Sequence, residues 1–180
     1  MAAARASPSS RAWCSTPRNG GRQPAGAIHQ QGDNVAVARA PGEEFGGDAI
    51  ADLFLNRLDS QAHPYYAGIA GLRVSSHFLI RRDGALLQFV PCLKRAWHAG
   101  QSQWCGRERC NDFSVGIELE GADDQPFSDA QYECLSVLAR ALYARYPIQA
   151  SVGHADIAPG RKTDPGPHFS WTRYFSALEK

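Results

Sequence analysis

Residues Phe113 to Glu120 alternate without a break. Phe113, Val115, Ile117 and Leu119 take one set of positions, and Ser114, Gly116, Glu118 and Glu120 take the other. A period of two marks a β-strand, because successive side chains point to opposite faces. The apolar face needs cover, so this strand predicts a sheet with helices packed on it. The polar face carries two carboxylates and a glycine. Facing solvent they are ordinary surface charges; lining a cleft, one of them is a candidate acid or base.

The helices that could give that cover are legible. Ser128 followed by Gln131 is a capping-box start. Leu135, Leu138, Leu142 and Tyr146 then form one stripe, and Pro147 ends the helix because it lacks an N–H. Asp48 opens an earlier helix with Ile50, Leu53, Phe54 and Leu58 on one face, and a last helix is expected over 169–178. Residues 73–80 and 85–90 read as strands joined at Asp83-Gly84, whose positive φ angles suit a tight hairpin. Residues 150–153 are a further short strand, and 35–38 are a strand or a linker. Residues 63–68, 97–111 and 154–168 read as loops. The alternation of helices and strands predicts the α/β class.

At 180 residues one domain is expected. No apolar run approaches the ~20 residues of a membrane span. A net charge of +1 removes any bulk electrostatic case for nucleic acid. The charge is unevenly spread: residues 1–32 hold Arg5, Arg11, Arg18 and Arg22 and no acid. That segment is rich in Ala, Ser, Pro and Gly and lacks the apolar stretch of a secretory signal. It reads as a tail or aberrant segment over 1–34, ahead of a domain over 35–180; a transit peptide is the weaker reading. Five cysteines without C-x-x-C (Cys14, Cys92, Cys105, Cys110, Cys134) read as reduced thiols of a cytoplasmic protein.

The residues with chemistry lie late in the chain. His154 and Asp164 bracket a Pro- and Gly-rich loop that also contains Arg161 and Lys162. Imidazole and carboxylate are zinc-ligand types, and a hydrolytic zinc needs three of them plus an open position. A lysine can stabilise the oxyanion formed when water attacks a carbonyl, and Glu118 or Glu120 could take the proton of that water. On spacing alone, a surface histidine and a turn aspartate explain the pair as well. A serine hydrolase reading lacks the G-x-S-x-G elbow, and no cysteine has a recognisable nucleophile context.

Longer stretches carry a resemblance: Pro41-Gly42-Glu43-Glu44-Phe45-Gly46-Gly47, residues 62–70 beginning Ala62-His63-Pro64-Tyr65-Tyr66, Leu72-Arg73-Val74-Ser75-Ser76-His77, Arg95-Ala96-Trp97-His98-Ala99-Gly100, residues 106–113, Gly116-Ile117-Glu118-Leu119-Glu120-Gly121 and Arg161-Lys162-Thr163-Asp164-Pro165-Gly166-Pro167. From about residue 41 to the C-terminus the chain resembles the AmpD-type 1,6-anhydro-N-acetylmuramyl-L-alanine amidases. These are zinc N-acetylmuramoyl-L-alanine amidases related to an amidase-type phage lysozyme and to peptidoglycan recognition proteins. The resemblance implies a single domain with a mixed central β-sheet flanked by helices. It implies cleavage of the amide between anhydromuramic acid and L-alanine of an anhydromuropeptide, in cytoplasmic recycling of cell-wall fragments, by a monomer needing neither membrane nor nucleic acid. It makes His154 and Asp164 zinc ligands, Glu118 the catalytic glutamate, Lys162 the lysine facing the carbonyl oxygen and Tyr65 a tyrosine at the site. Arg73 and Arg109 become substrate contacts, which suits guanidinium geometry. His77 and His98 are read as supports of the cleft.

The first zinc ligand of that family is a histidine ending the first core strand. Ungapped alignment puts Ala36 at that position and Val37 at the asparagine that follows it. The only upstream histidine is His29, which requires about seven inserted residues. Three expectations follow: His29 serves; the site lacks a ligand and the chain is an impaired muropeptide-binding module; or residues 1–40 come from a shifted frame or wrong start.

Overall fold

The computed structural model describes residues 27–31, 45–69, 71–122 and 124–179, the first of these segments by its backbone. In chain order the elements are β1 (Ala27–Gln31), α1 (Ala49–Phe54), α2 (Pro64–Ala67), β2 (Phe78–Ile80), β3 (Leu86–Gln88), β4 (Gln103–Trp104), β5 (Arg107–Glu108), a 3-10 turn (Cys110–Asp112), β6 (Ser114–Leu119), α3 (Asp129–Arg145), β7 (Ala150–Gly153), α4 (His154–Ile157) and α5 (Trp171–Leu178).

Five strands form one mixed sheet in the order β3-β2-β6-β1-β7, with β4 and β5 as a separate ribbon. β2, β6, β1 and β7 run parallel, and β3 is the antiparallel edge. The alternating strand is β6, buried along its length. Its apolar side chains Val115, Ile117 and Leu119 join Phe78 and Ile80 of β2 and Leu135, Ala139 and Leu142 of α3 in the main core. Fully burying each large aliphatic contributes ~1.5–3 kcal/mol. α5 adds Tyr174, and Phe169 and Phe127 close the same layer. On the opposite face Leu79 packs with Ile50, Leu53 and Phe54 of α1 and with Tyr66 and Ile69. Among the described residues no helix is long and apolar enough to cross a membrane.

Several local expectations change. The turn into β3 places only Gly84 at positive φ (+86°), with Gly84 N–H bonded to Arg81 O, so Asp83 keeps an ordinary conformation. α1 stops at Phe54, and Asn56 at φ 56° turns the chain before Leu58. Residues 64–67, expected as loop, form one helical turn: Pro64 sits at its start, where no N–H is needed, and His63 Nδ1 accepts the Tyr65 N–H. Cys105 is disulfide-bonded, contrary to the expectation of reduced thiols throughout, whereas Cys92, Cys110 and Cys134 are free.

The larger correction is β1. Residues 27–31 fall within the segment expected as a tail, yet they pair with both β6 and β7 at the heart of the sheet. A boundary after residue 34 would remove a central strand. Its sequence, Ala-Ile-His-Gln-Gln, has one large aliphatic residue, whereas buried parallel strands usually read as apolar runs. The 35–38 segment, with Ala36 and Val37, lies outside the described residues.

Candidate active site

The end of β7 and the loop that follows α4 bring polar groups together. β7 ends at Gly153 and leads directly into α4, whose first residue is His154. The loop after α4 folds back so that Asp164 O accepts the Ala155 N–H at 2.9 Å. This return needs glycine at 153: a Cβ there would lie 2.7 Å from Pro165 Cδ and 3.2 Å from Asp164 O. His154 and Asp164 are both buried, with His154 Nδ1 3.1 Å from Asp164 Oδ2.

The His154 ring is fixed by its other nitrogen. Nε2 lies 3.0 Å from Ala99 O, and a carbonyl oxygen can only accept, so Nε2 carries the proton. In the neutral ring Nδ1 then presents a lone pair to a carboxylate oxygen. Two acceptors at 3.1 Å require a proton or a cation between them. The second oxygen, Asp164 Oδ1, is buried with no hydrogen-bond partner among the described residues. An acceptor pair with an orphaned carboxylate oxygen fits a divalent metal. Among the described residues no group of three or more His, Cys, Asp or Glu side chains could hold one. His154 and Asp164 thus supply two donors.

Glu118 and Glu120, indistinguishable in the alternating pattern, separate cleanly. Glu120 Oε1 accepts the Gly46 N–H at 2.8 Å and Oε2 accepts the Arg82 N–H at 2.9 Å. It pins the entry to α1 and the hairpin turn, and is occupied by that task. Glu118 lies on β6, 2% exposed, in register with Leu79 of β2 and Gln31 of β1. Lys162 joins this group. Desolvation lowers its pKa, opposed by the negative charge of Asp164 and assisted by Arg161, with Glu118 also pulling it upward. Lys162 thus feels both carboxylates.

His77 and His98 both contact β6 at Gly116. His77 Nδ1 accepts the Gly116 N–H at 3.0 Å and Nε2 donates to Lys94 O at 3.0 Å, which fixes one neutral tautomer. Burial pushes its pKa down. The His98 ring lies against Gly116, where a Cβ would come within 2.5 Å of its Cγ. Glycine in β6 is therefore the condition for an imidazole to pack on the strand.

Tyr65, on α2, is half-buried and packs against the α1 cluster. Arg73 is exposed, donates to Asn56 Oδ1 at 2.7 Å, and lines an open groove of about 420 Å³ with Asn56, Val74, Ser75 and Trp97. Arg109 is exposed at φ 62° and its Nε pairs with Asp112 at 3.2 Å. The other Asp112 oxygen takes Arg95, whose guanidinium stacks on Trp97 at 3.9 Å. His29 lies in β1, its Cα paired with Gly116 on one side and Val152 on the other. Ala99, whose contribution is a backbone carbonyl, and Asn111, whose side chain bonds the Ala99 N–H, carry no signal in the sequence pattern.

The chain is similar to known proteins. The N-acetylmuramoyl-L-alanine amidase family model matches residues 48–167. The 1,6-anhydro-N-acetylmuramyl-L-alanine amidase AmpD of Citrobacter freundii is 60% identical over 140 residues, covering 77% of this chain and 74% of its own. A crystal structure of AmpD superposes with a TM-score of 0.78 at 51% identity, covering 87% of this chain and 86% of that one. The amidase AmiD of E. coli, solved with anhydro-N-acetylmuramic acid-L-Ala-D-γ-Glu-L-Lys, matches at 30% identity and TM-score 0.62, covering 90% of this chain and 60% of that one. On the family match and this level of identity, the chain belongs to the N-acetylmuramoyl-L-alanine amidase family.

Proposed function

We propose that the protein hydrolyses the amide joining 1,6-anhydro-N-acetylmuramic acid to L-alanine in anhydromuropeptides, as a zinc enzyme of cytoplasmic peptidoglycan recycling. The activity of the similar AmpD and AmiD amidases supports the substrate. One geometric observation carries the metal: His154 has committed Nε2–H to Ala99 O and turns its Nδ1 lone pair onto a buried, half-satisfied carboxylate.

His154 and Asp164 would hold the zinc, with His29 as the third donor. β1 lies between the strand carrying Glu118 and the strand leading into His154, which supports His29 over Ala36, a residue with no donor side chain. Zinc, when bound, polarises the amide carbonyl and makes water a nucleophile near neutral pH.

The chain's own groups do the rest. Glu118 accepts a proton from the attacking water and returns it to the departing alanine nitrogen. Its burial keeps competing solvent away. Lys162 places its ammonium against the carbonyl oxygen as negative charge develops there. Tyr65 borders the reacting amide, while Arg73, in the Trp97 groove, and Arg109 bind the carboxylate and sugar portions of the substrate.

The test is release of L-alanyl peptide from purified anhydromuropeptide. Turnover that a chelator abolishes and zinc restores supports the proposal. Binding of the muropeptide without release would sink it in favour of a binding module.

A further inference from the structure

We propose that Asn111 is a positioning residue for His154: its side-chain oxygen fixes the Ala99 peptide, and the Ala99 carbonyl fixes which imidazole nitrogen faces Asp164. The inference rests on the zinc reading above and extends it to a residue that touches neither metal nor substrate.

The geometry is a relay of short polar contacts in a buried place. Asn111 Oδ1 accepts two successive backbone N–H groups, His98 at 3.0 Å and Ala99 at 2.8 Å. Both partners are donors, so the accepting atom is the oxygen whatever the amide assignment. One atom with two lone pairs thus ties down the 97–98 and 98–99 peptides, immediately before the residue whose carbonyl meets His154. The far end of the same residue, Ala99 O, accepts His154 Nε2–H at 3.0 Å and Arg161 Nη2 at 3.0 Å. Nη2 and Nε2 lie 3.3 Å apart because both donors converge on that oxygen.

Packing reinforces the relay. The Ala99 methyl is fully buried with Cys110, Val152 and Ile157, in the cluster that flanks His154 on both sides in sequence. Asn111 is itself buried, inside the 3-10 turn that Arg109 opens at φ 62°. That turn is stitched to the loop by Arg109 N–H to Ser102 O at 2.9 Å and Cys110 N–H to Ser102 Oγ at 3.2 Å. The stitches hold the turn, whereas the Asn111 side chain reaches the N–H of Ala99, the residue whose carbonyl meets His154. Partners that orient a metal-binding imidazole typically change metal affinity about 10- to 100-fold when removed.

The experiment compares the full-length wild-type chain with Asn111→Ala, Asn111→Asp and Ser102→Ala. Zinc affinity is measured by competition with a chromogenic chelator. The His154 tautomer in the zinc-loaded chain is read from long-range proton–nitrogen-15 correlations. Asn111→Ala should weaken zinc about 10- to 100-fold. Asn111→Asp, which keeps an acceptor oxygen in place, should stay near wild type. Ser102→Ala, which loosens the turn without touching the 98–99 amides, should lower stability and leave zinc affinity unchanged. Wild-type His154 should show Nε2–H. An Nδ1–H tautomer in the wild-type chain overturns the inference whatever the variants do, including the case where Asn111→Ala fails to fold. Equal zinc loss in Asn111→Ala and Ser102→Ala, or none in Asn111→Ala, also overturns it and leaves the zinc reading standing. A wild-type chain that binds no zinc overturns both.

Discussion

Adding one methyl group at Gly153 should separate metal binding from general stability. The new Cβ would sit 2.7 Å from Pro165 Cδ and 3.2 Å from Asp164 O, where ordinary contact begins at 3.4 Å. Relief therefore requires the Asp164–Pro165 segment or the end of β7 to move by about 0.7 Å. A metal ligand tolerates displacements of only ~0.2 Å. Overpacking of this size costs ~1–3 kcal/mol, which for a chain this long lowers Tm by about 2–4 °C per kcal/mol. Gly121→Ala is the matched control: its Cβ would lie 2.7 Å from Phe127 Cε1, an equal overlap in the core away from His154. Both variants should lose comparable stability in urea unfolding. Zinc titration should show Gly153→Ala weakened at least tenfold, about 1.4 kcal/mol, and Gly121→Ala unchanged. If Gly153→Ala bound zinc as tightly as Gly121→Ala, the claim that this glycine seats the Asp164 ligand would be wrong.

Other consequences can be measured separately. Glu118→Gln should cut peptide release about 100- to 10,000-fold while zinc content stays at the wild-type level; normal turnover would move the proton-transfer role elsewhere. Glu120→Gln should behave oppositely, costing about 2 kcal/mol of stability by weakening two charge-assisted bonds to Gly46 and Arg82, with activity per folded molecule retained. Burial holds His77 below its usual 6.5, so the folded state binds fewer protons than the unfolded one. The stability tied to this group is full above pH 6.5 and lost as pH falls toward the folded value. Urea midpoints should therefore decline less steeply with acid in His77→Gln than in wild type. A parallel decline would remove His77 from the pH response.

What the sequence revealed follows from where the determining forces act. The β6 alternation, the Ser128–Gln131 capping box and the start of α1 at Asp48 are local, and each appears where it was read. Residues 64–67 were missed because Pro64 looks like a helix breaker when it is in fact at the tolerated first position. β1 was missed because its residues lack the apolar run of a buried parallel strand, and only its two neighbours define it. Alternation placed Glu118 and Glu120 on one face but could not say which was already occupied. That depended on Gly46 and Arg82, 74 and 38 residues away. Ala99 was invisible for a different reason: its contribution is a carbonyl, which every residue possesses, and only folding aims it at His154.

The most direct test is anomalous scattering at the zinc edge from crystals of the zinc-loaded, full-length chain. A single strong peak bonded to His154 Nδ1 and an Asp164 carboxylate oxygen, with His154 Nε2 still on Ala99 O, is the predicted result. A zinc-saturated protein with no peak between these two side chains, or with the metal on His154 Nε2, would contradict the account at its centre.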